Sequence, residues 1–313
     1  MRLLATKHIF REVATDCFAN NRLSLQLLSS NPLTNMVSEH SDATLMLADV
    51  LADPEWGNSE AFEKSPWNKL TGFEGSMFQY WKAPDGAPDG ASFGIGMGGW
   101  NDAIQTAAVL ADFPWGRYPP GTTVNDFGGG IGNSAMELIK TYPNLQLKLQ
   151  DLPDRIHQAE VEVWPKLLPS AIAEKRIEFK AFDFLADSPI EGCDVYYLKN
   201  IIHDWPDNEC IQILRNIRAV LKPGACILIH EYVLQHANHT DASSSTFTNA
   251  PEPMLPNYGI GRIRQYNCDI AMMVIHNGKE RTLDNFIDIA SKADLQFVKL
   301  WCVGEMSMVE LRA

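Results

Sequence analysis

Short apolar runs alternate with amphipathic helical patterns from residue 123 to the end of the chain. The runs have the length of strands, and the stretches between them repeat apolar residues with helical spacing. Strands separated by helices need crossover connections, so this pattern favours an α/β fold with a mostly parallel, Rossmann-like sheet covered on both faces. We predict strands at 123–127, 145–150, 176–181, 194–198, 226–233, 297–302 and 306–311.

Two details of the pattern define individual connections. Between the fourth and fifth predicted strands, Cys210, Ile213, Leu214 and Ile217 repeat at helical spacing, which predicts a helix there. Residues 303–305 form a very short gap between the last two predicted strands. Because a crossover cannot be made in so few residues, the last two strands must be antiparallel neighbours.

The part of the chain that precedes the predicted sheet has a different pattern, and we expect mainly helices and loops there. Residues 23–28 fit a strand and a helix equally, so their structure is left open. Residues 83–99 are rich in Gly, Pro and Asp, which predicts a loop. Prolines and a glycine at 117–123 precede the change of pattern. We therefore predict a helical N-terminal region at 1–117 and a second domain at 118–313.

Length and charge narrow the classes of protein that fit. The 313 residues suffice for about two structural units with a buried core. The 39 acidic residues outnumber the 26 Lys and Arg residues, and a net charge of -13 has the wrong sign for a surface that tracks phosphates. Hydrophobic residues make up 45% of the chain, as in a folded rather than a disordered protein. We expect no nucleic-acid partner.

Neither a membrane span nor a secretion signal is visible in the sequence. No apolar run reaches the roughly 18 residues that a membrane helix needs. Lys7, Arg11 and Glu12 lie where a signal peptide would place its apolar core. The six cysteines are scattered and form no C-x-x-C pair, which fits free thiols in a reducing compartment. We expect a cytoplasmic protein without a membrane partner.

The strongest single motif is VNDFGGGIGNS at 124–134, where the first predicted strand meets a helix. Position 133 is Asn133, where a dinucleotide fingerprint needs Gly. Asp126 would repel a pyrophosphate but would suit a ligand with an ammonium group. S-adenosylmethionine has an ammonium and a sulfonium and no phosphate. The candidate cofactor residues of this turn are Asp126, Gly128, Gly130 and Gly132.

Acidic residues follow the next two predicted strands as well. Asp151 ends the second strand, where a carboxylate usually accepts hydrogen bonds from ribose hydroxyls. Asp183 and Phe184 follow the third strand and could contact the amino group and the ring of an adenine. A surface turn for Asp151 and a helix cap for Asp183 are the structural alternatives.

A histidine follows the fourth predicted strand, in YYLKNIIHDWPD. Ligands of open parallel sheets lie beyond the carboxyl ends of the strands, so His203 should be near the cofactor. A neutral imidazole can accept the proton of a phenolic hydroxyl, which is a poor nucleophile until it is deprotonated. Glu231 ends the fifth strand and Glu280 precedes a later helix, and carboxylates beside an imidazole stabilise its protonated form. Without these carboxylates a structural role for His203 would be favoured.

Six motifs together match a known family. DFGGGIG, QDLP, FDF, LKNIIHDWPD, ILIHEYVL and GKERT occur in the order and spacing of the plant and fungal S-adenosylmethionine-dependent O-methyltransferases of the caffeic acid and flavonoid type, and the chain resembles their fungal branch. The resemblance is detailed over 120–313 and looser before it. It implies a seven-stranded sheet with an antiparallel last strand.

The resemblance also implies roles for individual residues. It implies a catalytic base at His203 with Glu231 and Glu280 beside it, and it adds Lys199 to the cofactor contacts named above. We also expect Asp204, next to the base, to bind the substrate. Residues matching the family's substrate pocket are Met97, Trp100, Met272, Met273 and Asn277, although methionines at helical spacing also suit a core.

Two departures from the family pattern bear on assembly and on the acceptor. The chain starts inside what resembles the closing part of the family's dimerisation segment, so we expect a homodimer that is weakened or held by the remaining helices. Residues 236–262 are longer than the family's usual connection, and they fit a mobile loop over the site and a surface insertion about equally.

The sequence therefore predicts an O-methyltransferase that moves a methyl group from S-adenosylmethionine to a hydroxyl of a small aromatic acceptor, with His203 as base and without a metal. Phenylpropanoids, flavonoids, polyketide phenols and lignin-derived phenols are not distinguished. A metal-assisted enzyme using Asp204, Asp207 and Asn208 is an alternative, although helix capping explains those residues better. A nicotinamide dehydrogenase is disfavoured by Asn133 and Asp126, and a non-catalytic paralogue remains a third alternative.

Overall fold

The computed structural model describes residues 1–37, 41–238 and 249–313. The helices are α1 (Arg2–Thr6), α2 (Leu33–Val37), α3 (Leu47–Ala52), α4 (Pro66–Thr71), α5 (Met77–Tyr80), α6 (Ala87–Ala103), α7 (Thr106–Ala111), α8 (Asn133–Thr141), α9 (Pro153–His157), α10 (Trp164–Leu167), α11 (Pro169–Ala173), α12 (Asp207–Val220), α13 (Ile263–His276) and α14 (Leu283–Lys292). The strands are β1 (Phe10–Ala14), β2 (Cys17–Asn20), β3 (Thr122–Phe127), β4 (Leu145–Asp151), β5 (Ile177–Ala181), β6 (Val195–Lys199), β7 (Cys226–Glu231), β8 (Val233–Leu234), β9 (Arg281–Thr282), β10 (Gln296–Val303) and β11 (Met306–Arg312).

Seven strands form one sheet in the order β10-β11-β7-β6-β3-β4-β5. β3, β4, β5, β6 and β7 pair in parallel, and β11 is antiparallel to both β7 and β10. The predicted α/β fold and the antiparallel final hairpin are confirmed. The chain runs outward from β3 to β5 and then returns to place β6 on the other side of β3. This reversal opens a crevice at the carboxyl ends of β3 and β6, where ligands of such sheets bind.

Two hydrophobic clusters cover the two faces of the sheet. On one face, Ile213 of α12 and Phe286 of α14 are fully buried against Ile229 of β7. On the other face, Leu138 of α8 and Trp164 of α10 pack against the strands. Because β6 and β7 are buried on both faces, they appear in the sequence as nearly continuous apolar runs, which made them predictable.

The predicted loop at 83–99 is wrong, since most of it belongs to the 17-residue helix α6. Four of its glycines are buried, and a Cβ added at Gly90 would lie 2.8 Å from the Trp81 side chain. A Cβ at Gly99 would collide with the backbone of Leu33 in α2. The glycines therefore let neighbouring segments pack directly on the backbone of α6, and this packing outweighs their low helix propensity.

Three smaller differences between the predicted and the observed elements involve short strands and a 3-10 helix. β1 and β2 form an antiparallel hairpin in a region where no strand was expected. The ambiguous segment 23–28 contains a 3-10 helix at Ser24–Leu27. The predicted fifth strand is divided in two, because β7 ends at Glu231 and β8 pairs with β9 instead.

The N-terminal helices share a core with the rest of the chain. Trp67, Met77 and Trp81 form a buried cluster with Val274 of α13. The Ser65 hydroxyl, at the start of α4, donates to the backbone oxygen of Ile275 at 3.0 Å. The boundary near residue 117 stays a prediction, but α13 holds the two parts together.

The long segment 236–262 is described in part, because residues 239–248 lie outside the described residues. Its end forms a 3-10 helix at Gly259–Arg262, and Arg262 donates to the Gln235 side chain at 2.6 Å. The prediction of a mobile loop over the site falls partly on residues that are not described. In the described part of the chain, no helix is both long and apolar enough to cross a membrane.

Candidate active site

A cavity of about 680 Å³ lies at the carboxyl ends of the parallel strands. Its floor comes from the turns after β3, β4 and β6, and its other walls come from residues 62–82, α6 and α13. Twelve of the predicted site residues line it together, although they are spread over the sequence. They are Met97, Trp100, Asp126, Gly128, Gly130, Asp151, Asp183, Phe184, Lys199, His203, Asp204 and Met272.

The glycine turn after β3 has the backbone shape that its sequence requires. Gly128 has a φ of 68°, and a Cβ there would lie 2.5 Å from the Ile201 side chain. Gly130 also has a positive φ, of 62°, and nothing lies within 4 Å of where its Cβ would be. The turn thus presents bare backbone to the cavity. Gly132 packs against the indole of Trp164 instead and does not line the cavity.

Asp126 is buried and Lys199 is half-buried at the floor of the cavity. Burial raises the pKa of Asp126 to about 7, although Lys199 lowers it. Burial also lowers the pKa of Lys199 to about 8, against the opposite effect of Asp126. The Lys199 ammonium donates to the side-chain oxygen of Asn101 at 2.7 Å, a partner from α6 that sequence reasoning missed. A cationic ligand would favour the ionised form of Asp126.

Asp151 connects the end of β4 to the glycine turn. One carboxylate oxygen accepts the backbone N–H of Gly130 at 2.7 Å, and the other accepts that of Leu152 at 2.7 Å. Burial raises the pKa of Asp151, and the two backbone N–H groups lower it. Each oxygen keeps a further lone pair, so the carboxylate can still accept hydrogen bonds from a diol in the cavity.

Asp183 and Phe184 lie at one end of the cavity. Asp183 accepts the backbone N–H of Leu185 at 3.2 Å in a turn after β5, where the helix that the capping alternative needs is not found, and it pairs with Lys82 at 2.9 Å. The ion pair joins the N-terminal helices to the sheet, and its cation was not predicted. Phe184 stacks on Phe127 with ring centroids 5.7 Å apart and offers an apolar surface.

His203 lies on the 3-10 turn Ile202–Asp204 that follows β6. Its Nδ1 is 2.7 Å from a carboxylate oxygen of Glu280, and both side chains are buried. An ionised carboxylate can only accept, so Nδ1 carries the proton and Nε2 is left as the acceptor of a neutral ring. Burial lowers the pKa of His203, but Glu280 and Asp204 raise it more, and the result is a pKa well above the usual value.

Glu231 supports the turn rather than the imidazole. One of its oxygens accepts the backbone N–H groups of Ile201, Ile202 and His203 at 3.0, 2.6 and 3.3 Å. Burial raises the pKa of its carboxyl group, and His203 opposes that effect. The expectation that Glu231 flanks the ring is thus corrected, because its side chain reaches the backbone that carries the ring.

Asp204 lies between two histidines. Its Oδ1 is 3.5 Å from Nε2 of His203 and 3.4 Å from Nε2 of His276, and burial raises its pKa to about 7. The ring of His276 stacks on Phe78, with centroids 5.2 Å apart and planes 8° from parallel. Sequence reasoning missed both His276 and Phe78. Aromatic residues are frequent at 62–81, but no periodicity there indicated a wall of the cavity.

The metal-assisted alternative does not fit the donor atoms. The Asp207 carboxylate pairs with Arg281 at 2.6 Å and with Lys279 at 3.0 Å. Neither Asp207 nor Asn208 lines the cavity with Asp204. Asp207 lies in the first turn of α12, where a carboxylate suits the helix dipole, but the N-cap residue is Pro206 and no side chain caps this helix.

Two of the expected substrate residues point elsewhere. Asn277 ends α13 with a φ of 52°, and its amide donates to the backbone oxygens of Ser59 and Ala61 at 2.8 and 2.9 Å. The left-handed turn directs this side chain to the 59–61 segment, so the substrate role is corrected to a structural one. Met273 does not line the cavity either, whereas Cys268 of the same helix does and was not predicted.

Comparisons with known proteins agree with this arrangement. A family model described as an O-methyltransferase domain matches residues 57–296. A relative called 3-O-methyltransferase 2, from Phanerochaete chrysosporium, is 41% identical over 314 residues, which cover 99% of this chain and 69% of that protein.

Solved structures share the fold. LaPhzM has a TM-score of 0.75 and 25% identity, with 99% of this chain and 82% of that chain covered. NcsB1, an O-methyltransferase from neocarzinostatin biosynthesis solved with S-adenosyl-L-homocysteine and 1,4-dihydroxy-2-naphthoic acid, has a TM-score of 0.71 and 20% identity, with 100% and 83% covered.

The matched family region, residues 57–296, includes the cavity-lining residues of α6, of α13 and of the turns after β3, β4 and β6. The acidic residues at the strand ends suit a cationic ligand without phosphates. The chain therefore belongs to the S-adenosylmethionine-dependent O-methyltransferases, and its cofactor is S-adenosylmethionine.

Proposed function

We propose that this protein methylates a hydroxyl group of a small aromatic acceptor, with His203 as the general base and without a metal. The contact between Nδ1 of His203 and Glu280, at 2.7 Å, carries the proposal. It leaves Nε2 as the proton acceptor of a buried imidazole that lines the cavity.

The cofactor is proposed to lie over the glycine turn. Asp126 fits its ammonium group, Asp151 fits the ribose hydroxyls, and Asp183 with Phe184 fits the adenine. Bare backbone at Gly130, with nothing within 4 Å of where its Cβ would be, leaves room for close approach. S-adenosylmethionine supplies an electrophilic methyl group on a positively charged sulfur, and a positive charge lowers the pKa of a nearby imidazole.

The acceptor is proposed to occupy the end of the cavity near His203. Trp81, Phe93, Met97 and Met272 line the cavity with aromatic and sulfur-bearing side chains. Such walls suit a flat aromatic ring. The bound 1,4-dihydroxy-2-naphthoic acid named for NcsB1 supports a hydroxylated aromatic class.

His203 and the two carboxylates beside it then have different roles in the proton transfer. Nε2 takes the hydroxyl proton, Glu280 stabilises the imidazolium that forms, and Glu231 keeps the turn in place through three backbone N–H groups. The aromatic walls exclude water and hold the hydroxyl oxygen in line with the methyl group.

Replacement of the base tests the proposal. His203→Ala should retain cofactor binding by calorimetry and lose roughly 100-fold or more in turnover, in line with the contribution of a general base. His157→Ala removes an exposed histidine of α9 and serves as the matched control, with wild-type turnover expected.

The activity itself is measured by mass spectrometry of a panel of phenols for the gain of one methyl group, with a strong chelator present and absent. Wild-type turnover in the His203→Ala protein would exclude the base, and loss of turnover on chelation would exclude metal independence. Cofactor binding without any methylated phenol would favour the non-catalytic alternative.

We infer that the protein is a cytoplasmic homodimer. Four leucines of the N-terminal region, Leu23, Leu25, Leu27 and Leu28, are each more than 40% exposed and provide apolar surface for association. All six cysteines are free, as suits a reducing compartment. Light scattering coupled to size-exclusion chromatography tests the dimer, and a concentration-independent monomer mass would exclude it.

A further inference from the structure

Three donor atoms of different chemistry meet at the base. The imidazole of His203, the thiol of Cys268 and the carboxylate of Glu280 have ligand atoms that all lie within 4.8 Å of one another. They come from the turn after β6, from α13 and from the segment before β9, so the tertiary fold alone brings them together. His203 and Cys268 line the cavity, which gives a small ion access from solvent.

A second observation indicates that the cluster can accept a cation. Glu280 is 4% exposed, and its Oε1 is the partner of His203. Its Oε2 is buried and has no hydrogen-bond partner among the described residues. A buried oxygen of this kind destabilises the protein when it is unsatisfied, and more so when it is charged. A metal ion bound beside it would satisfy this oxygen.

The donor set suits one class of metal. Zinc binds cysteine sulfur, histidine nitrogen and carboxylate oxygen in tetrahedral sites, and three protein ligands leave a fourth position open. Magnesium and calcium prefer oxygen ligands only, so the thiol and the imidazole disfavour them. We propose that His203, Cys268 and Glu280 form an inhibitory zinc site inside the cavity.

Zinc bound by His203, Cys268 and Glu280 prevents His203 from acting as the base. This consequence rests on the proposed function. The ion takes the place of the proton on Nδ1 of the neutral His203 ring, which moves to Nε2, and it displaces the proton of the Cys268 thiol, so one proton is released to the buffer. A neutral imidazole that binds the metal through Nδ1 carries its proton on Nε2. Nε2 then donates instead of accepting, and the hydroxyl of the acceptor keeps its proton.

Metal binding is tested first and without any turnover. Metal-free protein is titrated with zinc sulfate by calorimetry in two buffers of different ionisation enthalpy, and cobalt is added as a spectroscopic substitute. We expect one ion per chain, proton release, and a thiolate-to-cobalt charge-transfer absorption.

Variants of two cysteines locate the site. Cys268→Ser and Cys268→Ala should weaken zinc binding by at least the roughly tenfold that loss of a supporting residue costs, and should abolish the cobalt absorption. Cys302→Ser changes an exposed cysteine of β10 that does not line the cavity, and it should bind zinc as the wild type does. Circular dichroism and cofactor binding confirm that each variant is folded.

The functional consequence is measured as turnover with and without zinc for each protein. Zinc should inhibit the wild type and Cys302→Ser at concentrations that leave Cys268→Ser active. Equal zinc affinity in the wild type and both Cys268 variants would overturn the site. Binding at the site without inhibition of a methylating enzyme would overturn the exclusion of base catalysis, and absence of methylation altogether would count against the proposed function instead.

Discussion

Glu231 and Glu280 contact different parts of the residue that they support. Glu280 holds the ring of His203 through Nδ1, and Glu231 holds the backbone before and at His203. Both carboxylates were placed near His203 from the sequence, Glu231 because residues after parallel strands meet at one edge of the sheet and Glu280 because it matches the family pattern before a later helix. The atoms that each carboxylate contacts depend on the direction of its side chain, and the sequence alone does not specify that direction.

The same limit applies to Asn277. The match to the family pattern placed it in the substrate pocket, but the left-handed turn at the end of α13 points its amide at a backbone segment. Asp126, Gly128 and Gly130 were predictable since one short turn after β3 determines their positions, and Asp151 was predictable since it ends the neighbouring strand β4. His276, Asn101 and Phe78 were not, because their partners are distant in sequence.

A substitution of Glu231 tests the assignment to the backbone. Glu231→Ala should lower kcat by up to about 100-fold through displacement of the turn, while the affinity for cofactor changes little. Glu231→Gln keeps an oxygen acceptor in the same place and should recover most of the loss. Steady-state kinetics and calorimetry on both variants measure the separation of kcat from binding.

Glu310→Gln provides the control for this test. Glu310 is also buried, on the neighbouring strand β11, but it contacts Trp301 and Arg312 outside the cavity. Wild-type kcat is expected for it. If Glu231→Ala were to lose cofactor affinity in proportion to kcat, the residue would bind the ligand region rather than position the base.

Among the elements, α6 is a helix whose composition predicted a loop. The seven strands of the sheet were found because each is a local apolar run with turn residues at its ends. The glycines and prolines of 83–99 have the composition of a loop, yet their absent side chains are what neighbouring segments pack against. Packing of this kind depends on the tertiary structure, so the helix propensities of individual residues do not predict it.

Adjacent glycines of α6 allow a direct comparison. A Cβ at Gly99 would collide with the backbone of Leu33, whereas a Cβ at Gly98 would lie 3.5 Å from the Asn133 side chain, at an ordinary contact distance. Gly99→Ala should therefore destabilise the protein by about 1–3 kcal/mol, as overpacking does. Gly98→Ala should be neutral or stabilise by up to about 1 kcal/mol, because alanine favours the helix.

Urea unfolding measured on both variants gives the two free energies. The difference in sign between neighbouring positions is the informative quantity, since both substitutions change helix propensity by the same amount. Equal effects at the two positions would mean that α2 does not pack on the backbone of α6.

On the scale of the whole molecule, the cavity is built by both parts of the chain. The turns after β3, β4 and β6 form one part of its wall, while α6 and residues 62–82 form another part. The Lys82–Asp183 ion pair and the cluster of Trp67 with Val274 join the parts. The sequence indicated two units, but the contacts between them depend on α13 returning to the N-terminal helices.

Ligand binding should therefore stabilise the entire chain in one step. S-adenosylhomocysteine at about 100 times its dissociation constant should add roughly 2.7 kcal/mol to the free energy of unfolding. Because the cavity contacts both parts of the chain, calorimetric melting should show one transition that moves to a higher temperature, and hydrogen exchange should slow in α6 as well as in the glycine turn.

Asp151→Asn should reduce this stabilisation by the ligand, since one hydrogen-bond acceptor for the ligand loses its charge. Asp288→Asn, which removes an exposed partner of Lys292 on α14, should leave it unchanged. Two transitions, of which the ligand moves only that of the sheet, would show that the N-terminal helices do not help to enclose the cofactor.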